Sequence, residues 1–329
     1  MTTTVFSGLK PTGSLHLGNY LGAIRQMIDL QDDPTTACRY AVVDLHSLTV
    51  EHDPRRLSEL TLELAGLLIA CGVDPDRSVL FVQSQVPAHA ELAYLMEATV
   101  AFGELRRMIQ FREKAGAQDR VRAALLTYPA LMAADILAYD TDLVTVGEDQ
   151  CQHLELARTL AHRFNGRYGE TFVVPAGVHP AHVARVMDLV DPTRKMGKTS
   201  TSSVGVISLL DPPRVVERKI GRATTDGDRV VRYAPDEKPG VSSLLAVLGA
   251  LTGTHPVPLA ESYQSYVALK RDVAAAVIAL LEPVQRTYAQ IRDDGDLDVV
   301  LRDGAGRARQ LAGPTLERAH RAIGLAPAA

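Results

Sequence analysis

The chain has 329 residues, of which 46% are hydrophobic and 22% charged, and its formal net charge is −4. This composition is typical of a folded globular protein and argues against a collagen-like repeat and a coiled coil. The net charge disfavours a strongly basic nucleic-acid binder and leaves room for a local basic patch. No apolar run approaches the roughly 20 residues that a membrane-spanning helix needs, and the first residues lack the pattern of a secretory signal. The three cysteines are far apart in the sequence, which favours reduced thiols in a cytoplasmic protein over a disulfide framework.

Short, continuously apolar runs in the first two-thirds of the chain predict strands buried on both faces of a parallel sheet. The runs cover residues 3–6, 40–43, 79–82, 143–146 and, as a fifth candidate, 171–174. Helical periodicities lie between them, and this alternation predicts a doubly wound α/β fold with a Rossmann-like parallel sheet. Because ligands of such sheets bind beyond the carboxyl ends of the strands, we expect one site surrounded by Gly8, Asp44, Gln83 and Gly147.

The last third of the chain shows no strand-like run from about residue 241 onward. One helix face follows residues 273–291, and residues 316–323 predict a short terminal helix. We therefore expect a catalytic domain at residues 1–200 and a mainly helical domain at residues 201–329. The last helix is a candidate to pack back onto the catalytic domain.

A glycine-rich segment follows the first predicted strand and reads Gly8-Leu-Lys-Pro-Thr-Gly-Ser-Leu-His-Leu-Gly-Asn19. Its glycines allow a tight turn and a close approach of a ligand to the backbone, and the helix that follows offers a positive end to a phosphate. His16 and Asn19 can donate hydrogen bonds to charge that develops on a phosphoryl oxygen. The alternative is a Gly/Pro loop whose histidine only caps the helix.

A second segment, residues 194–203, reads Arg-Lys-Met-Gly-Lys-Thr-Ser-Thr-Ser-Ser. Lys195 and Lys198 lie three residues apart in this loop, which could close over a triphosphate and stabilise a leaving pyrophosphate. A solvated basic loop is the alternative when the segment is considered alone.

Together these two segments resemble the two signatures of the class I aminoacyl-tRNA synthetases. Further stretches make the chain most similar to the bacterial tryptophanyl-tRNA synthetases, and the resemblance covers nearly the whole chain, most densely residues 6–200. The matching stretches include Phe6-Ser-Gly, Gly18-Asn-Tyr-Leu-Gly-Ala23, Val43-Asp-Leu-His-Ser-Leu-Thr49, Gln83-Ser-Gln-Val-Pro-Ala-His89, Leu126-Thr-Tyr-Pro-Ala-Leu-Met-Ala-Ala-Asp-Ile-Leu137, Gly147-Glu-Asp-Gln150 and Gln152-His-Leu-Glu-Leu-Ala-Arg158.

The resemblance implies a tryptophan site in which Asp135 accepts the indole N–H. From the residues alone, an aspartate within this apolar helical run is expensive to bury unless a ligand satisfies it, which also indicates recognition. The resemblance further implies that Tyr128 and Gln150 hold the substrate ammonium and that His46 lies near its carboxylate. The positions that complete the expected site are Phe6, Gly8, Met132, Val144 and Val146.

The resemblance also implies an ATP site, with Val186 and Met196 beside adenine, Asp149 near the ribose, and Arg112 and Lys114 on the phosphates. The expected ATP-binding positions are Lys10, Pro11, Thr12, Gly18, Asn19, Arg112, Lys114, Gly147, Asp149, Gln150, Val186, Lys195, Met196, Gly197, Lys198 and Thr199. The expected catalytic residues are His16, Asn19, Lys114, Lys195 and Lys198. Mg²⁺ is implied by the ATP chemistry, whereas the sequence shows no dedicated metal-binding cluster.

The implied reaction has two steps. The tryptophan carboxylate, already ionised at pH 7, attacks the ATP α-phosphate to give tryptophanyl-adenylate and pyrophosphate. The 3′-terminal ribose hydroxyl of tRNA(Trp) then attacks the acyl carbon. The resemblance also implies a homodimer, and the helical domain is expected to bind the tRNA anticodon.

The sequence departs from the family pattern at Lys10, where glutamine is common, and in the signature loop, where Gly197 and Thr199 replace serines and the usual Asp-Pro is missing. Moreover, the chain contains no tryptophan. Lys10 motivates the hypothesis of an auxiliary copy that is less sensitive to tryptophan-mimicking inhibitors. The absence of tryptophan adds a second hypothesis, that the synthesis of this protein consumes none of its own product.

Three other functions are compatible with parts of the pattern. The first is a tyrosyl-tRNA synthetase, a sister family with the same architecture, and the second is a nucleotidyltransferase without a tRNA substrate. The third is a tryptophan-binding sensor descended from a synthetase. The stretches around Asp135 and residues 147–150 favour tryptophan over tyrosine, and the intact His16 and Lys195 favour an enzyme over a sensor.

Overall fold

The computed structural model describes residues 2–116, 120–145, 147, 150–178, 186–197 and 203–326. Its sheet has five parallel strands in the order β3-β2-β1-β4-β5. The strands are β1 (Thr3–Leu9), β2 (Thr36–Val42), β3 (Val79–Val82), β4 (Leu143–Thr145) and β5 (Ala176–Val178). The strand order reverses between β1 and β4, and this switch point opens the crevice in which doubly wound sheets bind ligands. The predicted Rossmann-like α/β fold is confirmed.

Helices cover both faces of the sheet and make up the C-terminal third. They are α1 (Leu17–Asn19), α2 (Arg25–Asp32), α3 (Pro54–Ala70), α4 (Ala88–Thr99), α5 (Phe102–Arg106), α6 (Ile109–Ala115), α7 (Ala123–Leu137), α8 (Cys151–Tyr168), α9 (Pro213–Gly221), α10 (Pro239–Thr252), α11 (Pro256–Glu261), α12 (Tyr266–Asp294) and α13 (Leu297–Ile323). A π-helical turn, Tyr20–Ile24, joins α1 to α2, and 3-10 turns lie at Leu45–Thr49, Gln83–Gln85 and Ser203–Gly205. Among the described helices, none combines the length and apolarity needed to cross a bilayer.

The fifth strand lies at β5 and not at the predicted residues 171–174. The Asn165 side chain accepts hydrogen bonds from the backbone N–H groups of Thr171 and Phe172 and donates one to the Phe172 carbonyl. These backbone groups are therefore unavailable to a sheet ladder. The apolar signal of the segment comes from Phe172, which is buried in the core as part of a loop.

The terminal helix is longer than the predicted one, because α13 continues through Gly304 and Pro314. Its alanines pack with the core on one face of the sheet, where Ala305, Ala308 and Ala312 are buried. Such packing compensates for the weak helix propensity of glycine and proline. The last helix thus contacts β3 and α4, both within residues 1–200.

A second core cluster lies on the opposite face of the sheet and continues into the C-terminal helices. Leu17 and Met27 belong to the same buried cluster as Val216, Leu245 and Val273. Hydrophobic packing is therefore continuous across residue 200, and the division into two domains at that point stays a prediction.

Candidate active site

A cavity of about 300 Å³ opens at the carboxyl ends of the strands, beside the switch point between β1 and β4. Its lining comes from β1, β4, the turn after β2, and helices α6 and α7. The lining residues are Phe6, Gly8, Lys10, Val43, His46, Thr49, Gln110, Lys114, Leu125, Tyr128, Met132, Asp135, Ile136, Val144, Thr145 and Gln150. The cavity is thus in the place that the strand order predicts.

The structure brings together nearly all of the residues predicted to bind tryptophan. Those that line the cavity are Phe6, Gly8, His46, Tyr128, Met132, Asp135, Val144 and Gln150. Lys10 and Lys114, predicted on the nucleotide side, line the same cavity. Four predicted residues, Val146, Asp149, Lys198 and Thr199, lie outside the described residues.

The remaining predicted residues lie outside the lining of this cavity. They are Pro11, Thr12, His16, Gly18, Asn19, Arg112, Gly147, Val186, Lys195, Met196 and Gly197. Asp44 and Gln83, which were both expected around the site, have structural roles. Asp44 accepts hydrogen bonds from the backbone N–H groups of Leu45 and Ser84. It thereby links the ends of β2 and β3. Gln83 is not part of the cavity lining: its Nε2 donates to Asp135, and its Oε1 accepts from the Leu45 N–H.

Asp135 lies on α7 and is only 1% exposed. Its Oδ1 accepts hydrogen bonds from Gln83 Nε2 at 2.6 Å and from His89 Nδ1 at 2.7 Å, and its Oδ2 accepts one from His46 Nε2 at 2.9 Å. Burial raises the pKa of this carboxyl, but the hydrogen bonds from His46 and His89 outweigh it and lower the pKa to about 2. The protein itself thus supplies three donors to Asp135, and the role of this carboxylate in binding an indole N–H stays a prediction.

The residues that form this network with His46 and Asp135 are Gln83, His89 and Tyr139. Gln83 was expected around the site, whereas His89 and Tyr139 were not. Gln83 and His89 belong to a stretch that matches the family, and Tyr139 lies one helical turn after Asp135. The four-residue spacing could have indicated that Asp135 and Tyr139 lie on the same side of the chain, because residues four apart on a helix share a face. Their convergence on one carboxylate depends on how α4 packs against α7.

Apolar side chains form part of the cavity lining. Phe6 and Val144, from the neighbouring strands β1 and β4, are each 3% exposed, and Met132 from α7 lines the same cavity. The Tyr128 ring stands edge-on to the His46 ring, and the Tyr128 hydroxyl is 2.6 Å from His153 Nε2. The cavity therefore offers flat apolar walls with polar groups at defined points.

Two lysines contribute positive charge to the lining of the cavity. Lys10 Nζ donates to Thr49 Oγ1 at 3.2 Å, and Lys114 comes from the exposed helix α6. Asp135 is the single carboxylate among the lining residues that the structure describes, and it is deeply buried. A ligand with an anionic end and a ring N–H matches this distribution of charge.

His16 caps α1. Asn19 N–H donates to His16 Nδ1 at 3.3 Å, and His16 N–H donates to Asn19 Oδ1 at 3.1 Å. A Cβ on Gly18 would lie 3.1 Å from His16 Nδ1 and 3.6 Å from Val186 Cβ, so glycine permits close packing of this segment. The helix-capping role that was considered for this histidine is thus present. Because Nδ1 accepts a hydrogen bond, the neutral form of the ring carries its proton on Nε2.

Val186, which precedes the basic loop at residues 194–203, packs close to Gly18 of the glycine-rich segment. Met196 N–H donates to the Val186 carbonyl at 2.9 Å, and both side chains are buried. Lys195 pairs with Met187 in an isolated β-bridge and has an exposed side chain. The start of the basic loop is therefore held beside the helix that His16 caps.

Comparison with known proteins now identifies the class. A family model described as tRNA synthetases class I (W and Y) matches residues 1–282. Since this match covers most of the chain and the sheet has the corresponding Rossmann-like order, the chain belongs to the class I tRNA synthetases of the tryptophan and tyrosine family.

Within that class the chain is most similar to tryptophan enzymes. It is 53% identical to "Tryptophan--tRNA ligase 1" of Streptomyces coelicolor over 331 residues, which cover 99% of this chain and 98% of the relative. The crystal structure of tryptophanyl-tRNA synthetase from Mycoplasma pneumoniae matches with a TM-score of 0.92 and 38% identity over 99% of both chains. That of the Campylobacter jejuni enzyme, solved with ADP and tryptophan, matches with a TM-score of 0.83 and 28% identity over 98% of this chain and 100% of that one. The predicted resemblance to tryptophanyl-tRNA synthetases is confirmed.

Proposed function

We propose that this chain is a tryptophan–tRNA ligase. It activates L-tryptophan with ATP to tryptophanyl-adenylate and transfers the tryptophanyl group to the 3′ end of tRNA(Trp). The observation that carries this proposal is the ionised carboxylate of Asp135 in a cavity lined by Phe6, Met132 and Val144, where the donors from described residues leave acceptor capacity for one ring N–H.

In this proposal the indole ring lies between Phe6, Val144 and Met132, and its N–H donates to Asp135. Tyr128 and Gln150 hold the ammonium, and His46 orients the carboxylate end, with Gly8 leaving room beside it. Phenylalanine has no ring N–H and would leave a buried carboxylate with an unfilled position, so one hydrogen bond discriminates strongly. Val146 completes the wall by the family resemblance.

The nucleotide binds on the side of the glycine-rich segment. His16 Nε2, Lys10, Lys114 and Lys195 stabilise charge on the phosphates, and Val186 and Met196 contact adenine. The other expected ATP-binding residues keep their predicted roles: Pro11, Thr12, Gly18, Asn19, Arg112, Gly147, Asp149, Gln150, Gly197, Lys198 and Thr199. Within the described residues no group of three or more His, Cys, Asp or Glu side chains is gathered for a metal ion, so we expect Mg²⁺ to arrive with ATP and to be held mainly by its phosphates.

The reaction needs no strong protein base, because the substrate carboxylate is already the nucleophile at neutral pH. Positioning of the carboxylate against the α-phosphate and stabilisation of the charge that moves onto pyrophosphate are the tasks of the site. We further propose that the helical residues 201–329 bind the tRNA anticodon and that the enzyme acts in the cytoplasm as a homodimer. Light scattering that gives a single 35.6-kDa chain at working concentrations would contradict the dimer.

The auxiliary-copy hypothesis belongs to the same proposal. Lys10 places a cation in the lining of the amino-acid cavity, where it changes the environment of any tryptophan-mimicking inhibitor. The absence of tryptophan from the chain lets the enzyme be made when tryptophanyl-tRNA is scarce.

The decisive experiment is ATP–pyrophosphate exchange with the purified full chain, followed by charging of tRNA(Trp). We expect exchange that depends on tryptophan and is absent with tyrosine, together with esterification of the tRNA. Exchange with tyrosine alone would identify the sister enzyme. Tryptophan binding without exchange would identify a sensor, and exchange without charging would identify a nucleotidyltransferase of another kind.

A further inference from the structure

A chain of buried polar groups lies behind Asp135, on the side away from the cavity. His89, from α4, is 0% exposed and Tyr139, just after α7, is 4% exposed. His89 Nδ1 is 2.7 Å from Asp135 Oδ1, and His89 Nε2 is 2.7 Å from the Tyr139 hydroxyl. Neither His89 nor Tyr139 lines the cavity, so neither is placed to touch a ligand there.

The hydrogen bonds divide the carboxylate into two unlike oxygens. A carboxylate has about four acceptor positions, two on each oxygen. Gln83 and His89 fill both positions of Oδ1, whereas His46 fills one position of Oδ2. Among the residues that the structure describes, no further donor reaches this carboxylate, so the acceptor position left over is on Oδ2, the oxygen that cavity-lining His46 contacts.

The direction of each hydrogen bond follows from the chemistry of the partners. An ionised carboxylate only accepts, so His89 Nδ1 carries a proton and donates. Nε2 of a neutral ring then accepts from the Tyr139 hydroxyl, and each link of the chain uses one proton. This arrangement gives each of the three buried groups a hydrogen-bond partner.

Aromatic packing fixes this chain in place. The Tyr139 ring is stacked on Phe6, with centroids 5.8 Å apart and an interplanar angle of 13°, and it contacts Phe81 with centroids 5.7 Å apart. Phe81 also packs on the His89 ring at 5.7 Å. The position of His89 is thus coupled to Phe6, which forms a wall of the cavity.

We propose that His89, oriented by Tyr139, is a positioning residue for amino-acid selection: it occupies Asp135 Oδ1 and so confines the ligand's ring N–H to Oδ2. This inference rests on the proposed function, since it assigns the origin of tryptophan selectivity within that site. Loss of the His89 bond frees an Oδ1 position and lets the carboxylate turn, so the ring N–H loses its fixed partner.

The test compares tryptophan with an isostere in which sulfur replaces the ring N–H (3-benzothienylalanine). Calorimetric Kd and exchange KM are measured for both ligands on the full chain and on His89→Leu, His89→Asn and Tyr139→Phe. We expect the preference for tryptophan to fall about tenfold in His89→Leu and about threefold in Tyr139→Phe, through KM, with kcat little changed. His89→Asn, whose amide N–H can replace Nδ1–H, should restore most of the preference.

Two matched variants serve as controls: His162→Leu and Tyr94→Phe, at exposed positions. Both should keep the full preference. An equal loss for both ligands in His89→Leu and Tyr139→Phe would show a merely structural role and overturn the proposal. Tyr139→Phe keeps the ring stacked on Phe6, so an unchanged preference in this variant overturns the proposal even if His89→Leu does not fold.

The binding measurement separates this inference from the proposed function. If the preference for tryptophan over the isostere falls in His89→Leu and Tyr139→Phe but the chain supports no pyrophosphate exchange, the ligase proposal fails and the positioning role of His89 stands. If exchange is normal and the preference is insensitive to His89 and Tyr139, the positioning role fails and the ligase proposal stands.

Discussion

At the scale of single residues, Asp135 shows how a buried charge is made tolerable. Three donors from separate elements converge on it, and the resulting stabilisation exceeds the cost of removing the carboxylate from water. The same donors decide how much acceptor capacity is left for a ligand. Recognition and stability therefore depend on one set of hydrogen bonds.

The first prediction concerns the dependence of stability on pH. The pKa of Asp135 is lowered from 3.8 to about 2 in the folded chain, so its ionised form contributes stability above pH 3.8 that is lost as the pH falls through 2. We expect Asp135→Asn to lower the free energy of unfolding by about 2 kcal/mol or more at pH 7, and this difference to shrink below about pH 4. Urea unfolding between pH 7 and pH 2.5 measures it.

The exposed Asp76→Asn is the matched control and should leave the free energy of unfolding within about 0.5 kcal/mol of the wild-type value. A difference for Asp135→Asn that stays constant down to pH 2.5 would contradict the argument from the lowered pKa.

The second prediction concerns Lys10, which donates to Thr49 and lines the cavity. If its charge alters the site, Lys10→Gln should strengthen inhibition by an indole-bearing tryptophan mimic at least about threefold, since a change of under 1 kcal/mol in binding free energy suffices. The inhibition constant in the exchange assay measures this. An inhibition constant that does not change would refute the link between Lys10 and inhibitor tolerance.

At the scale of elements, the length and continuity of α13 depend on its contact with the sheet. Gly304 and Pro314 lower its helix propensity, yet the helix is continuous because one face is buried against β3 and α4. At the point of closest approach, a Cβ on Gly304 would overlap the Leu80 carbonyl oxygen of β3. Gly304 is therefore required for the approach of the helix to the strand.

The third prediction follows from that approach. Gly304→Ala should lower the free energy of unfolding by about 1–3 kcal/mol, because α13 must move away from β3. Gly306→Ala, on the same helix, is the control: its nearest neighbour would be Arg309 Nη2 at 3.9 Å, and better helix propensity should add up to about 1 kcal/mol. Urea midpoints compare the two, and equal midpoints would show that the close approach carries no cost.

At the scale of the whole molecule, the absence of tryptophan from 329 residues connects composition with function. A tryptophan–tRNA ligase that contains tryptophan depends on its own product for its synthesis, whereas this chain does not. The fourth prediction is that synthesis of this protein persists under tryptophan starvation while the synthesis of tryptophan-containing proteins falls. Pulse labelling with a different amino acid measures both, and a parallel decline would count against a selective advantage of the composition.

The sequence by itself determined the fold class, the placement of the first four strands, the family and most of the cavity lining. It did so because strand periodicity, glycine-rich turns and long motifs are local features of the chain. The fifth strand escaped prediction, since the Asn165 side chain captures the backbone of residues 171–172.

Only the tertiary structure decided the length of α13, the continuity of the core across residue 200 and the partners of Asp135. Each of these features depends on groups that are far apart in the chain. His89 and Asp135 are 46 residues apart, and Gly304 contacts Leu80 from a position far later in the sequence. A pattern in the sequence identifies the residue types that can pair. Which of them do pair is set by the packing of helices on the sheet, where burial makes an unsatisfied polar group too costly to remain.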